Sequence, residues 1–284
     1  MKFKMIAIDL DGTLLSPTGE VTPRTRAAVH RALEAGLLVC FATGRNFTES
    51  RAVLQAVGHF DSAVFVGGAM VIDTSRRVTL HRKLMDAELA RQLCEFFITR
   101  GHAVLALQDT GSAGVDYLIS KGIELSPATQ QWLDVTSATY QWADDLASHP
   151  HEHTIRVGIV ATTDSADALQ TELQAKFGSR IVSHSILVPA YGVQVLEVFD
   201  PAVNKWEGIL HVAREHQIDR EEIIAVGDDV NDLPMVLNAG LGVAMGNAHP
   251  QLRAAARRVI GNNRDEGLAV FLEELVQQEL SIQG

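Results

Sequence analysis

The sequence predicts an α/β protein, a doubly wound parallel-sheet core interrupted by an inserted α+β domain. Three observations lead there. Short, continuously apolar runs ending in glycine turns recur near both ends of the chain, separated by stretches of helical period. Strands apolar at every position are those buried on both faces, as in a parallel sheet covered by helices. From about residue 84 the pattern changes to helices followed by paired strands, the mark of a separate α+β unit. After Asp200-Pro201 the first pattern resumes. The expected division is a core of residues 1–83 and 197–284 and an insert of residues 84–196.

Taken in chain order, residues 3–9 read as a buried strand running into a glycine turn. Thr22 is placed to cap a helix whose first position is Pro23, and Gly36 ends it. Residues 37–42 form a second buried strand, followed by Thr43-Gly44-Arg45 and a helix to about Val57; residues 63–66 form a third strand. In the insert, 86–100 is helical, 103–107 strand-like, 127–146 mostly helical, 155–161 a strand and 164–177 an amphipathic helix. Residues 180–188 and 193–199 read as two strands joined by Pro189-Ala190-Tyr191-Gly192. The returning core gives a helix at 205–217, a strand at 223–226, a short helix at 231–237, a strand at 242–244, and helices at 250–257 and 266–278.

Composition narrows the function. The net charge of −11 and the lack of a dense basic stripe argue against nucleic acid; Arg253, Arg257 and Arg258 read as the solvated face of a helix. No apolar run is long enough to cross a bilayer, and the N-terminus leads straight into a strand, so no membrane partner and a cytoplasmic setting are expected. The two cysteines, Cys40 and Cys94, fall in apolar patterns and read as buried, reduced thiols. An acidic chain that handles a phosphorylated small molecule needs local positive charge: a metal ion, a lysine or helix N-termini.

Four clusters fall at the carboxyl ends of buried strands, where an open α/β sheet lines its ligand crevice. In Asp9-Leu10-Asp11-Gly12-Thr13 the two carboxylates are two residues apart and face one site in an extended chain. Such a pair stays ionised beside a cation, and an oxygen-rich pocket suits magnesium. Asp9 is then a candidate nucleophile and Asp11 a candidate acid and base; an ordinary Asp-Gly turn is the bland alternative. Thr43-Gly44-Arg45-Asn46 suits phosphate at a helix start, or else Thr43 is a routine cap and Arg45 a surface ion pair. Lys205 is a candidate to neutralise Asp9 and a transferring phosphoryl group, or a solvated charge. Gly227-Asp228-Asp229-Val230-Asn231-Asp232 offers Asp228 to a metal, Asn231 to phosphate and Asp232 to the surrounding shell, or is an acidic helix start. His149, His151 and His153 read as a polar loop rather than a metal site. There is no Walker-type Gly-x4-Gly-Lys loop, zinc-helix motif or Gly-x-Ser-x-Gly.

Taken together, the sequence resembles the haloacid dehalogenase superfamily of phosphatases, and more narrowly its Cof-type members. Asp9-Leu10-Asp11-Gly12-Thr13-Leu14 looks like the first family motif, Phe41-Ala42-Thr43-Gly44-Arg45 the second, Lys205 the third, and the stretch from Gly227 through Asp232 to Met235 the fourth. The resemblance spans the chain, including the Gly246-Asn247-Ala248 turn. It implies a Rossmann-like core with a cap inserted between the second and third motifs. It further implies Asp9 as nucleophile and Asp11 as acid/base. Mg2+ would be held by Asp9, the Asp11 carbonyl and Asp228, with Asp232 in support. Phosphate would be held by the Leu10 N–H, Thr43, Gly44, Lys205 and Asn231. The implied activity is hydrolysis of a small phosphate monoester, a sugar phosphate or phosphorylated cofactor, through an aspartyl-phosphate. The alternatives are transfer to a sugar hydroxyl from the same intermediate, and a catalytically silent binding module. Substrate choice would lie in cap loops around Asp116-Tyr117 and residues 189–192. Two departures stand out: Gly67-Gly68-Ala69 replaces the common Asn-Gly-Ala, and Lys205-Trp206 replaces Lys-Gly.

Overall fold

The computed structural model describes residues 2–59, 61–136, 138–188 and 193–283. In chain order the elements begin with β1 (Met5–Ile8), α1 (Pro23–Glu34), β2 (Leu38–Phe41), α2 (Phe47–Val57), β3 (Ser62–Phe65), β4 (Met70–Asp73) and β5 (Val78–Arg82). Next come α3 (Ala87–Ile98), β6 (Leu105–Gln108), α4 (Thr110–Ala113), β7 (Tyr117–Ser120), α5 (Pro127–Thr136), β8 (Tyr140–Ala143), β9 (Thr154–Ala161), α6 (Thr163–Phe177), β10 (Val182–Val188) and β11 (Val193–Phe199). The chain closes with α7 (Lys205–Glu215), β12 (Ile223–Gly227), α8 (Leu233–Asn238), β13 (Leu241–Ala244), α9 (Pro250–Ala255), β14 (Arg258–Val259) and α10 (Gly267–Gln283).

The chain divides into two compact units, Met1–His81 with Asn204–Gly284, and Arg82–Val203. Residues 82–83 and 197–203, assigned to the core from sequence, lie in the second unit. The physical reason is β11, which runs unbroken to Phe199 and pairs Val198 with Val157 of β9, so a break at residue 197 would cut a strand.

The first unit is Rossmann-like. Its parallel sheet has the order β14-β13-β12-β1-β2, and every residue of β1 is fully buried. The apolar run at β1 is what a central strand covered on both faces requires. α1 starts where the sequence places it: the Thr22 hydroxyl accepts from the Thr25 N–H, with Pro23 at the first position. α1 packs with α10, and α7 with α8 and β3. The third strand departs from expectation. β3 makes one parallel bridge, Ala42 with Val64, and otherwise pairs antiparallel with β4 in a three-stranded sheet closed by β5.

The second unit is an α+β layer with the sheet order β10-β11-β9-β6-β7-β8, antiparallel except for the pair β7 and β8. One core joins α3 and α6 to β6, β9 and β11 through Phe96, Phe97, Leu169, Leu173, Val157 and Leu196. The helix expected over 127–146 stops at Thr136, and Tyr140–Ala143 is instead the edge strand β8. Asp116 sets this: its carboxylate accepts from the Thr139 N–H at 2.8 Å and the Thr139 hydroxyl at 2.9 Å, which draws the next residues alongside β7. His151 is buried rather than in a polar loop, bonded to the Thr154 hydroxyl at 2.9 Å and the Leu146 carbonyl at 2.8 Å. The residues 189–192 expected to join β10 and β11 lie outside the described residues. Among the described residues no helix is long and apolar enough to cross a membrane.

Candidate active site

Asp9 comes directly after the last residue of β1, and Asp228 and Asp232 come just after β12, its parallel neighbour. Adjacent parallel strands bring the residues beyond their carboxyl ends to one place. Carboxylate oxygens of Asp9, Asp228 and Asp232 all lie within 4.8 Å of one another. Among the described residues this is the single group of three acidic, histidine or cysteine side chains so arranged.

Lys205 is the first residue of α7, a helix capped by Asn204, whose side chain accepts from the Glu207 N–H at 3.1 Å. Its ammonium is fully buried and donates to Asp9 Oδ1 at 2.5 Å and Asp232 Oδ1 at 2.6 Å. Burial opposes the charged form, but Asp232 and Asp9 outweigh it and raise the lysine above its ordinary pKa. The second Asp232 oxygen accepts from the Asp228 and Asp229 N–H groups at 2.9 and 3.1 Å. Asp232 is thus occupied on both oxygens.

The acidic groups outnumber the lysine. Burial raises the Asp9 pKa well above its ordinary value; Lys205 pulls it back, and Asp232, Asp228 and Asp11 push it up again. Burial, then the charge of Asp232, pushes Asp228 up to about 7, against the pull of the Thr13 hydroxyl and Lys205. A divalent cation beside Asp9 and Asp228 would restore both to the ionised form. The donor set fits a hard cation, since it is all oxygen. The backbone fits as well. Gly12 has φ +74°, and a β-carbon there would overlap Asp228 Oδ2, so only glycine leaves the loop close to that carboxylate. Thr13 donates to Asp228 Oδ1 at 3.0 Å. The turn after β13 braces both: Asn247 Nδ2 donates to the Gly12 carbonyl at 2.9 Å and the His249 N–H to the Asp228 carbonyl at 2.7 Å.

Thr43 is buried at the end of β2, where its hydroxyl accepts from the Arg45 N–H at 3.1 Å. It does not cap α2. That helix begins at Phe47 under a capping box made by Asn46 and Glu49, so the segment Thr43-Gly44 precedes the helix rather than starting it. A β-carbon on Gly44 would meet nothing within 4 Å, so this backbone borders open space. Leu10 is buried, with its carbonyl accepting from the Leu15 N–H. Asn231 holds a buried Oδ1 with no partner, beside Asp232. Rotation of the amide would turn its two N–H donors to the position the unpaired oxygen now holds, where they could meet an anion.

Asp11 stands apart from the acidic group. Its side chain is 57% exposed and is gripped by both arms of Arg45, Nε to Oδ2 at 2.8 Å and Nη2 to Oδ1 at 2.5 Å. The bidentate fork fixes the carboxylate plane. From sequence Arg45 reads as half of a surface ion pair whose other half is unnamed; its spacing contains no signal that it reaches back to Asp11.

A family model for haloacid dehalogenase-like hydrolases matches residues 6–272. The chain belongs to that family, with the Cof-type phosphatases. It is 25% identical over 290 residues to the 5-amino-6-(5-phospho-D-ribitylamino)uracil phosphatase YwtE of Bacillus subtilis (strain 168), covering 96% of this chain and 98% of that one. It is 26% identical over 277 residues to the HMP-PP phosphatase of Serratia proteamaculans (strain 568), covering 95% and 94%. In fold it is similar to a haloacid dehalogenase-like hydrolase from Bacteroides thetaiotaomicron, with TM-score 0.78, 24% identity and coverage of 96% and 99%.

Proposed function

We propose that the protein hydrolyses a small phosphate monoester with Mg2+, through an aspartyl-phosphate on Asp9. The observation that carries this is the surplus of buried carboxylates beside one lysine, which needs a cation, next to loops able to hold phosphate. Asp9, the Asp11 carbonyl and Asp228 would hold Mg2+, with Asp232 ordering Lys205 and the Asp228 backbone. When bound, the ion supplies positive charge to the phosphoryl oxygens and keeps the carboxylates ionised. The Leu10 N–H, Thr43, Gly44, Lys205 and Asn231 would bind the phosphoryl group.

A carboxylate oxygen of Asp9 attacks phosphorus, the ester P–O bond breaks, and the leaving alkoxide takes a proton from Asp11. Asp11 delivers that proton after its carboxylate leaves the Arg45 fork and takes up a proton from solvent. In the second step Asp11 takes a proton from water, the water oxygen attacks phosphorus, and the bond to Asp9 breaks to release phosphate. Lys205 offsets the charge on Asp9 in both steps.

The residues of the second unit would form the cap that selects the organic part of the substrate. The named relatives are phosphatases of 5-amino-6-(5-phospho-D-ribitylamino)uracil and of HMP-PP, which supports a small phosphorylated metabolite as substrate. A cytoplasmic setting suits two buried thiols that burial raises to a pKa of about 12. The test is phosphate release with Mg2+ across sugar phosphates, nucleotides and phosphorylated cofactor precursors, with and without sugar acceptors. Release to water supports hydrolysis; turnover that requires an acceptor would favour the transferase; no turnover of any ester would leave the silent module.

A further inference from the structure

We propose that the turn Val66-Gly67-Gly68 is the positioning element that sets the Thr43 loop and the Lys205 helix against each other. The inference rests on the phosphate-handling roles given above to Thr43 and Lys205. Three consecutive residues of the turn are left-handed: Val66 at φ +53°, Gly67 at φ +64° and Gly68 at φ +106°. A buried β-branched residue in that region is strained, and such strain persists where the surroundings over-determine the backbone.

The surroundings are the site. On one side the Val66 N–H donates to the Arg45 carbonyl at 3.0 Å and the Gly67 N–H to the Thr43 carbonyl at 3.0 Å, while the Thr43 N–H donates to the Val64 carbonyl at 2.9 Å. The Thr43–Arg45 segment is thereby tied at three backbone groups to β3 and the turn. On the other side the turn lies against the start of α7. A β-carbon on Gly68 would overlap the Asn204 carbonyl and lie 2.9 Å from the Lys205 backbone nitrogen. One on Gly208, a turn further along α7, would lie 3.3 Å from the Gly68 Cα and 2.5 Å from Val64 Cγ1. A methyl group at either glycine therefore moves the helix that carries Lys205 relative to the loop that carries Thr43. The position of Gly67 also accounts for the family difference noted in the sequence: at φ +64° glycine and asparagine both sit without strain, whereas a β-branched residue is held there only under strain, as Val66 is.

The test measures p-nitrophenyl phosphate turnover with Mg2+ in Gly68→Ala, Gly208→Ala, Gly67→Asn and Gly67→Val, alongside Val29→Ala, a core truncation in α1. Gly68→Ala and Gly208→Ala should lower kcat on the order of 100-fold, as for an ångström-scale misplacement, with KM within about threefold. Gly67→Asn should match wild type, Gly67→Val should behave like Gly68→Ala, and Val29→Ala should lower Tm while keeping kcat. If Gly68→Ala does not fold, Gly208→Ala and the Gly67 pair decide. The inference is overturned if folded Gly208→Ala and Gly67→Val retain wild-type kcat, or if Val29→Ala loses kcat in proportion to Tm. A wild-type protein that turns over no phosphate ester overturns the hydrolase reading itself, and this one with it; an active wild type with indifferent variants overturns this one alone.

Discussion

Each unit buries charged side chains, and one group from each, Arg156 with Glu197 and Lys205 with Asp9 and Asp232, differs in its balance. In the second unit Arg156 Nη1 meets Glu197 Oε1 at 2.5 Å, with Tyr117 beside the guanidinium, and the two charges cancel. In the first, Lys205 also makes a 2.5 Å bond, but it faces Asp9 and Asp232 with Asp228 close by. Desolvation costs both sets several kcal/mol. The matched pair recovers that cost from its own attraction. The set around Lys205 holds more carboxylates than cations, and a further cation would balance it.

The comparison breaks most directly at Asp9. Asp9→Asn should lower kcat on the order of 10⁴-fold or more while the protein stays folded, because an amide cannot form the acyl phosphate. Circular dichroism beside steady-state kinetics checks it, and substantial residual turnover would remove the covalent step. Next, Lys205→Met and Arg156→Met should each cost about 3–5 kcal/mol in denaturant unfolding, since each strands a buried carboxylate. Added Mg2+ should recover part of the loss for Lys205→Met and none for Arg156→Met; equal responses would erase the distinction between the two sets.

A third expectation concerns pH. Asp228 is held at about 7 in the folded chain, above its unfolded value, so the fold binds a proton that the unfolded chain releases. That contribution is present below the unfolded pKa and is lost as pH rises through about 7. The metal-free protein should therefore lose Tm between about pH 5 and 8, and the Tm gain from Mg2+ should be larger at about pH 8 than at about pH 5. A gain independent of pH would count against a cation at Asp228. The smallest effect belongs to Thr13→Val, which removes one hydrogen bond to Asp228 and should weaken Mg2+ affinity about fivefold, read by titration calorimetry.

The sequence was most legible where local chemistry decides. The buried strands β1, β2 and β12, the Thr22 cap of α1 and the Asp-x-Asp-Gly turn are all set by residue type and spacing. The features that escaped depend on partners distant in the chain. β8 exists because Asp116 captures Thr139, and the pattern read as mostly helical over 127–146 gives no warning of it. Lys205 is legible as the charge that meets Asp9, and the structure adds its complete burial between Asp9 and Asp232. The grip of Arg45 on Asp11 and the left-handed Val66 leave no trace in composition or period.

The pairing of β1 with β12 has a consequence for how the chain is made. Met5 takes Ile223 as its neighbour, so β1 waits about two hundred residues of synthesis for this companion. Until then the apolar four-residue strand β1 has one edge without hydrogen-bonding partners, the kind of surface on which nascent chains stick to each other. The second unit, contiguous in sequence, can finish folding during that wait. Synthesis halted before residue 223 should therefore leave a half-ordered, chaperone-dependent product, while synthesis through β14 closes the sheet.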